Sequence, residues 1–299
     1  YRFEEIPYGL EVDDAEYYYT AATIGIDFDL DFSNQMKGIE NRYLNKEVKK
    51  IVPFHPIGAG VLASPFVFIG NFFSSISSED NLISPVYFLY SIAPIFYLFM
   101  TLKLMQMSLE KLNITYENNL LLLMFFGTGI GYYAFDRFSM SHVYEVFGTA
   151  TVIYLTILAI KENNTSRKPG IFISIGILLF VFLSIRWVNY FLFLIPALIC
   201  YINRKSPKKI YLNPYFLLGS ILGFIGFIVH TKYLYGIYTL NQTNVVLYVE
   251  NSFQENFSRF FEFDMLFENI IFVIKSSQII LFSQEFGLFY FAPIIFLSS

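Results

Sequence analysis

Cysteine is almost missing from this chain: Cys200 is the only one in 299 residues. It lies in an apolar run, and a lone cysteine excludes an internal disulfide framework or a cysteine-rich metal centre. Charge is scarce too. Asp, Glu, Lys and Arg make up 15% of the residues, where a soluble domain carries about a quarter. Nor is there a helical repeat of fixed period, or a Pro- or Ser-rich linker. What remains is largely hydrocarbon, with 55% apolar residues, 20% aromatic residues and a mean hydropathy of +0.51. The missing charge is concentrated in runs such as Leu82 to Met107 and Ile171 to Ile202. Such runs approach or exceed the roughly 20 apolar residues needed to cross a bilayer. The composition therefore predicts a polytopic membrane protein.

The stronger apolar stretches are 82–106, 119–135, 141–160, 170–185, 187–202 and 213–235, with a weaker pair after 269. Residues 57–76 are apolar as well, but Gly58, Gly60, Pro65 and Gly70 interrupt them. Cytoplasmic loops carry an excess of Lys and Arg. Lys161, Arg167 and Lys168 mark one such loop, and Arg204, Lys205, Lys208 and Lys209 mark another. Lys103 and Lys111 bracket a weaker third. Counting crossings from these loops puts 77–81, Asp136 to Ser139, the turn at Arg186 and residues 236–268 on the external side. Residues 1–56 join them if 57–76 does not cross. The glycines and proline there favour an interfacial or re-entrant helix, because broken backbone is poorly tolerated against lipid. The opposite parity stays open on sequence alone.

Residues 1–56 hold eleven of the 24 acidic side chains. The densest run, Leu10 to Tyr19, packs Glu11, Asp13, Asp14 and Glu16 beside Tyr17, Tyr18 and Tyr19. Asp13 to Ile24 reads as a short helix opened by an Asp cap. Asp27 to Phe32 alternates with period two and reads as extended. A calcium loop starting at Asp27 would need Gly and Glu where the chain has Phe32 and Gly38, so that reading fails. His55 precedes Pro56 and so approaches the next helix in extended backbone. His142 and Glu145 share a helix face. With Asp14 they could accept a divalent metal, although two ligands at a common spacing are weak support. Arg137 and Arg186 lie at the ends of apolar stretches, where an ionisable group is either functional or an interface anchor.

In order and spacing these features resemble the GT-C superfamily of polyprenyl-phosphate-sugar-dependent glycosyltransferases. That group includes the protein O-mannosyltransferases and the lipid A aminoarabinose transferases. Asp13-Asp14-Ala15-Glu16-Tyr17 is similar to the family's acidic motif in the first external loop. Phe54-His55-Pro56-Ile57-Gly58-Ala59-Gly60 resembles its opening of a juxtamembrane helix, and Arg137-Phe138-Ser139-Met140-Ser141-His142 its external Arg before a helix start. Ser283 to Pro293 looks like its Gly-Leu-aromatic-Pro signature. The resemblance implies that Asp13 is the catalytic base, with Asp14 as the fallback. It further implies that Arg137, Arg186 and His55 hold the donor phosphate, and that Glu16, Tyr17, Tyr18 and His142 meet the sugar or acceptor. It makes no cofactor certain, and a divalent metal stays open without support. The family's first transmembrane helix would precede Tyr1, so the chain reads as a fragment.

The expected architecture is an all-α polytopic membrane protein with a GT-C-like helix bundle. Residues 1–56 form an external acidic catalytic loop, 57–81 a juxtamembrane or re-entrant helix and 82–235 the bundle. Residues 236–268 form a second external loop and 269–299 further membrane segments. The expected activity is inverting transfer of a sugar from a polyprenyl-phosphate donor to an acceptor hydroxyl, on the external face of the plasma or inner membrane. Its partners would be that donor, membrane lipid and a protein, lipid or glycan acceptor, with no nucleic acid. The alternative is a transporter or flippase of lipid-linked glycans. Such a protein would show paired broken helices and internal pseudosymmetry, and Gly127-Thr128-Gly129 and Gly223-Phe224-Ile225-Gly226 do not form matching halves. A non-catalytic scaffold would not need Asp13 and both arginines on one face.

Overall fold

Proline and asparagine mark where the long helices start and stop. The computed structural model describes residues 12–37, 43–45, 48–74, 84–115, 125, 127–161, 169–236 and 238, without the side chains of Val12, Asp13, Trp187 and Val188. The motif at 283–293, residues 119–124 and 126 of the 119–135 stretch, and the segments after 238 lie outside the described residues. Contacts divide the chain into two units, residues 1–116 with 132–246, and residues 117–131 with 247–299. Apart from Ile130 and Gly131 at the start of one short helix, all that follows concerns the first.

Helix α1 spans Val12–Ala22 and runs on as a wider π turn over Thr23–Asp27. A two-residue ladder pairs β1 (Leu44–Asn45) with β2 (Lys50–Ile51) in antiparallel register. Then come α2 (Gly58–Ser74), α3 (Pro85–Leu112), α4 (Ile130–Phe135), α5 (His142–Lys161) and α6 (Pro169–Leu183). A 3-10 segment over Trp187–Leu194 leads into α7 (Ile195–Ile202), and α8 (Lys208–Tyr211) precedes α9 (Pro214–Tyr235). Pro85 and Pro214 sit in first turns, where a missing N–H costs nothing. The Asn213 side chain caps α9 by accepting from the Tyr215 and Phe216 amides at 2.9 and 3.3 Å. Asn113 and Gly236 end α3 and α9 in left-handed backbone. Among the described residues, α3, α5 and α9 are long and apolar enough to cross a membrane.

Three sequence expectations change. Residues 57–76 do not break at their glycines and proline, because Gly58–Ser74 is one helix. Pro65 deprives the Val61 carbonyl of its backbone donor, and the Ser64 hydroxyl supplies one at 2.8 Å. The glycines are points of close approach: a Cβ on Gly70 would lie 2.6 Å from the Val86 Cα, and one on Gly60 2.6 Å from the Thr20 Cβ. Asp27 to Phe32 is not extended either. Asp29 and Asp31 each accept the backbone N–H two residues on, at 3.0 and 3.1 Å, and these local turns displace a strand. Finally, 187–202 is divided between 3-10 and α geometry rather than forming one helix.

Ring contacts fix the helix directions. Tyr90 of α3 meets Phe138 just before α5, and Tyr97 meets Tyr144 and Phe147, so α3 and α5 run parallel. Phe147 of α5 meets Phe182 near the end of α6, so α6 returns antiparallel. Phe180 meets Phe224 and Phe227, and α9 runs alongside α6 in the same direction. The starts of α3 and α5 therefore meet the ends of α6 and α9. Helix α1 and the β1–β2 ladder pack at that same end. Asn45 donates to the Tyr235 carbonyl at 3.3 Å, and the Lys50 ammonium sits 3.7 Å above the Tyr233 ring.

Candidate functional site

Helix α1 is an unusual object, because Asp14 to Ala22 are all buried although the run carries two carboxylates and three tyrosines. Burial of a charge is costly unless it is paired. Each acidic side chain of α1 that is described has such a partner, and the partners come from different parts of the chain.

Asp14, 3% exposed, places Oδ2 3.2 Å from Nη2 of Arg137, in the loop before α5. That loop is also tied to α1 through its backbone. The Ser139 hydroxyl donates to the Asp14 carbonyl at 2.7 Å and lies 2.6 Å from the Tyr90 hydroxyl of α3. Glu16, 1% exposed, faces the approach to α2 instead. Its Oε2 accepts from the His55 backbone N–H at 3.0 Å and lies 2.8 Å from the His55 Nδ1. Its Oε1 is buried and has no hydrogen-bond partner among the described residues.

Glu145, in the first turn of α5, forms the third pair. Its Oε1 accepts from the Ser141 hydroxyl at 2.8 Å and from the Arg186 Nη1 at 3.3 Å. The His142 Nδ1 stands 3.8 Å away, within ion-pair range but beyond a hydrogen bond, and its ring packs 4.2 Å from that of Tyr133. Arg186 lies just past α6, and its side chain is 41% exposed, the most open of the paired cations.

Tyr17 joins the second pair to the third. Its hydroxyl bonds with Ser141, within the field of Arg186, Glu145 and Glu16, and its ring lies 5.2 Å from that of His55. Burial pushes the Tyr17 phenol up to about 12, with the Ser141 bond pulling the other way. It therefore stays neutral through the physiological range and acts as a donor or dipole.

The acidic stretch is thus a buried helix, not a solvated loop, and the structure joins Asp14, Glu16, Tyr17, His55, Arg137, His142 and Arg186 at one end of the bundle. Arg137 pairs with Asp14. Asp13 is the second residue of α1, and its side chain lies outside the described residues. Tyr18 departs from its expected place against a sugar. Its ring is wholly buried, edge-on to Tyr90 and Tyr87 at 5.0 and 5.7 Å, so no face is open for stacking. Asp14, His142 and Glu145 do not form a ligand set, since Asp14 is on Arg137 and Glu145 on Arg186. Among the described residues no group of three or more His, Cys, Asp or Glu side chains is placed to hold a metal. Sequence reasoning left out Ser139, Ser141 and the organising role of Glu145. The two serines flanking Met140 just before a helix start were the available signal, because hydroxyls there favour capping.

Beside this end lies a half-open apolar cleft of about 280 Å³ between α2, α6 and α9. Val61, Leu62, Phe180 and Phe227 line it, with Ser184 and His230 as its polar members. Ile185, on its wall, immediately precedes Arg186. No protein-family model, curated protein or solved structure matches the chain, so a functional reading rests on this geometry.

Proposed function

We propose that this chain is an inverting, membrane-embedded glycosyltransferase that moves a sugar from a polyprenyl-phosphate donor to an acceptor hydroxyl on the external face of the cell membrane. One observation carries the reading. Two carboxylate–guanidinium pairs and a carboxylate–histidine pair converge at a single end of apolar helices, next to an apolar cleft that ends beside Arg186. A lipid-linked phosphate needs that combination: hydrocarbon for its tail, and a cation where its phosphate arrives. Arg186 spends one contact on Glu145 and is the most exposed of the paired cations, so it suits the leaving phosphate. Arg137 holds α1 in place through Asp14 and adds positive potential.

The sidedness has support of its own. Lys111 and Lys161 lie at the ends of α3 and α5 opposite the carboxylate pairs, and Lys209 of α8 reaches the Lys161 end of α5, donating to the Ile160 carbonyl. An excess of Lys and Arg marks the cytoplasmic side, which supports an external acidic end. Incubating membranes that carry the chain with radiolabelled polyprenyl-phosphate sugars and a hydroxyl acceptor tests the reading. The expected result is label on the acceptor and free polyprenyl phosphate, both lost in Arg186→Ala. Movement of intact lipid-linked sugar across vesicles without cleavage would identify a transporter and overturn the proposal.

A further inference from the structure

The geometry points to His55 as the proton acceptor of this site, with Glu16 as the residue that positions it. The inference rests on the transferase reading above and specifies a group in it that neither the acidic stretch nor the arginines supply. The Asp14 carboxylate is engaged by Arg137 at 3.2 Å, and an ion-paired carboxylate beside a guanidinium is a weakened base. His55 is placed in the opposite way. Glu16 accepts both its backbone N–H and its Nδ1, so the ring is fixed at two points. A proton on Nδ1 bonded to Glu16 leaves Nε2 as the lone-pair nitrogen, and the tautomer is set by the carboxylate. Tyr17 packs on the ring. The side chain is 29% exposed while Glu16 is buried, so the ring is the member of the couple within reach of a substrate.

Among the described residues, charged and titratable groups reach the couple from α1 and from the end of α9. Glu16 and Tyr17 of α1 face His55, and the buried Tyr235 phenol at the end of α9 is within electrostatic reach of Glu16. Through Tyr17 the couple also feels Arg186 and Glu145. In the transfer, the acceptor oxygen forms its bond to the anomeric carbon as the bond from that carbon to the phosphate oxygen breaks. The phosphate keeps that electron pair. The acceptor's proton moves to Nε2 of His55, and the resulting imidazolium is balanced by Glu16 until it releases the proton to water. No other reactant is needed.

Two measurements test this, and one needs no turnover. Carbethoxylation of His55 by diethylpyrocarbonate, followed against pH by peptide mass spectrometry on the full chain in detergent, reports when the ring nitrogen is unprotonated. In Glu16→Gln the midpoint of that profile should fall by about one pH unit or more, a tenfold weaker hold on the proton. An unchanged midpoint, or a His55 that is unreactive at every pH, overturns the couple. With a radiolabelled polyprenyl-phosphate sugar as donor, His55→Gln should lose at least about a hundredfold in turnover. Its carbethoxylation control and Arg137 contacts should be otherwise intact, with His142 still modified as in the wild type. Glu16→Gln should retain partial turnover with its acid limb displaced to lower pH. Turnover that survives His55→Gln but vanishes in Asp13→Asn would move the base to α1 and overturn the inference. A wild-type chain with no transfer but a Glu16-dependent midpoint would overturn the transferase reading and leave the couple standing.

Discussion

Two regions of this bundle are held together by opposite means. Where α6 meets α9, backbone lies against backbone. A Cβ on Gly176 would stand 2.5 Å from the Ser220 nitrogen and 2.6 Å from the Phe216 carbonyl oxygen, and Gly219 and Gly223 press against Ile173 and Ile177. Where α1 meets the starts of α3 and α5, the contacts are instead carboxylates, guanidinium groups, hydroxyls and an imidazole, most of them buried. In lipid, apolar side chains gain little by leaving hydrocarbon for one another, so small residues that allow close approach hold helices together. Buried ion pairs stabilise weakly against the cost of drying the charges, but they tolerate few alternative arrangements. One region therefore holds the chain together, and the other specifies where chemical groups sit. The first should fail when an atom is added, the second when a charge is removed.

The largest effect is expected at the glycine seam. Gly176→Val drives a branched side chain into backbone atoms that cannot rotate away, and the helices must separate. Overpacking of this kind costs about 3 kcal/mol or more. It should appear as a loss of monodisperse protein in detergent or a large fall in thermal midpoint. Gly226→Ala is the control. Its Cβ meets nothing within 4 Å, so it should be neutral or slightly stabilising, as Ala is the better helix former. Equal behaviour of the two variants would show that α6 and α9 are not held by backbone contact.

At the polar end the expected loss is smaller. Asp14→Asn removes the carboxylate facing Arg137, whose side chain is about a quarter exposed and can recover some hydration. A cost of about 2 kcal/mol follows for a charged hydrogen bond of this burial. Arg137→Gln should cost a similar amount, and the double variant less than the two together. Thermal unfolding of the four proteins measures the coupling, which should be about 1 kcal/mol or more for groups in contact. Additive losses would mean that the 3.2 Å approach contributes nothing to holding α1.

These differences also explain what could be read in advance. The long helices were legible because apolar runs with terminal Pro, Asn or Gly leave few alternatives. The expected 82–106, 141–160, 170–185 and 213–235 became Pro85–Leu112, His142–Lys161, Pro169–Leu183 and Pro214–Tyr235. The gathering of Asp14, His55, Arg137 and Arg186 was legible through loop charges and crossing counts. The pairing was not. Nothing in one dimension tells Arg137 to meet Asp14 rather than its neighbour Asp136, or Glu145 to meet Arg186 rather than a metal. Those choices depend on how α1 lies across the helix ends. The same limit hid the burial of Tyr18, because a tyrosine-rich stretch at a membrane boundary reads equally as a sugar platform or as packing. Gly58 to Gly70 misled for a related reason. Glycine signals either a break or a close approach, and only the neighbour, here α1 or α3, decides between them.

The smallest effect tests whether polar groups inside the apolar region follow the same rule as those at its end. Tyr144 and Tyr97 are neighbours, with ring centroids 5.2 Å apart, but their hydroxyls differ. Tyr97 donates to the Leu62 carbonyl of α2 at 2.9 Å, whereas the Tyr144 hydroxyl is buried without a hydrogen-bond partner among the described residues. Tyr97→Phe loses a bond and should cost about 1 kcal/mol. Tyr144→Phe loses only an oxygen that stands desolvated and unsatisfied, so it should leave the thermal midpoint unchanged or raise it by the equivalent of up to about 1 kcal/mol. If Tyr144→Phe destabilises as much as Tyr97→Phe, the Tyr144 hydroxyl has a partner in the folded protein. The contrast between a hydrocarbon seam and a polar end would then be less sharp than the geometry makes it.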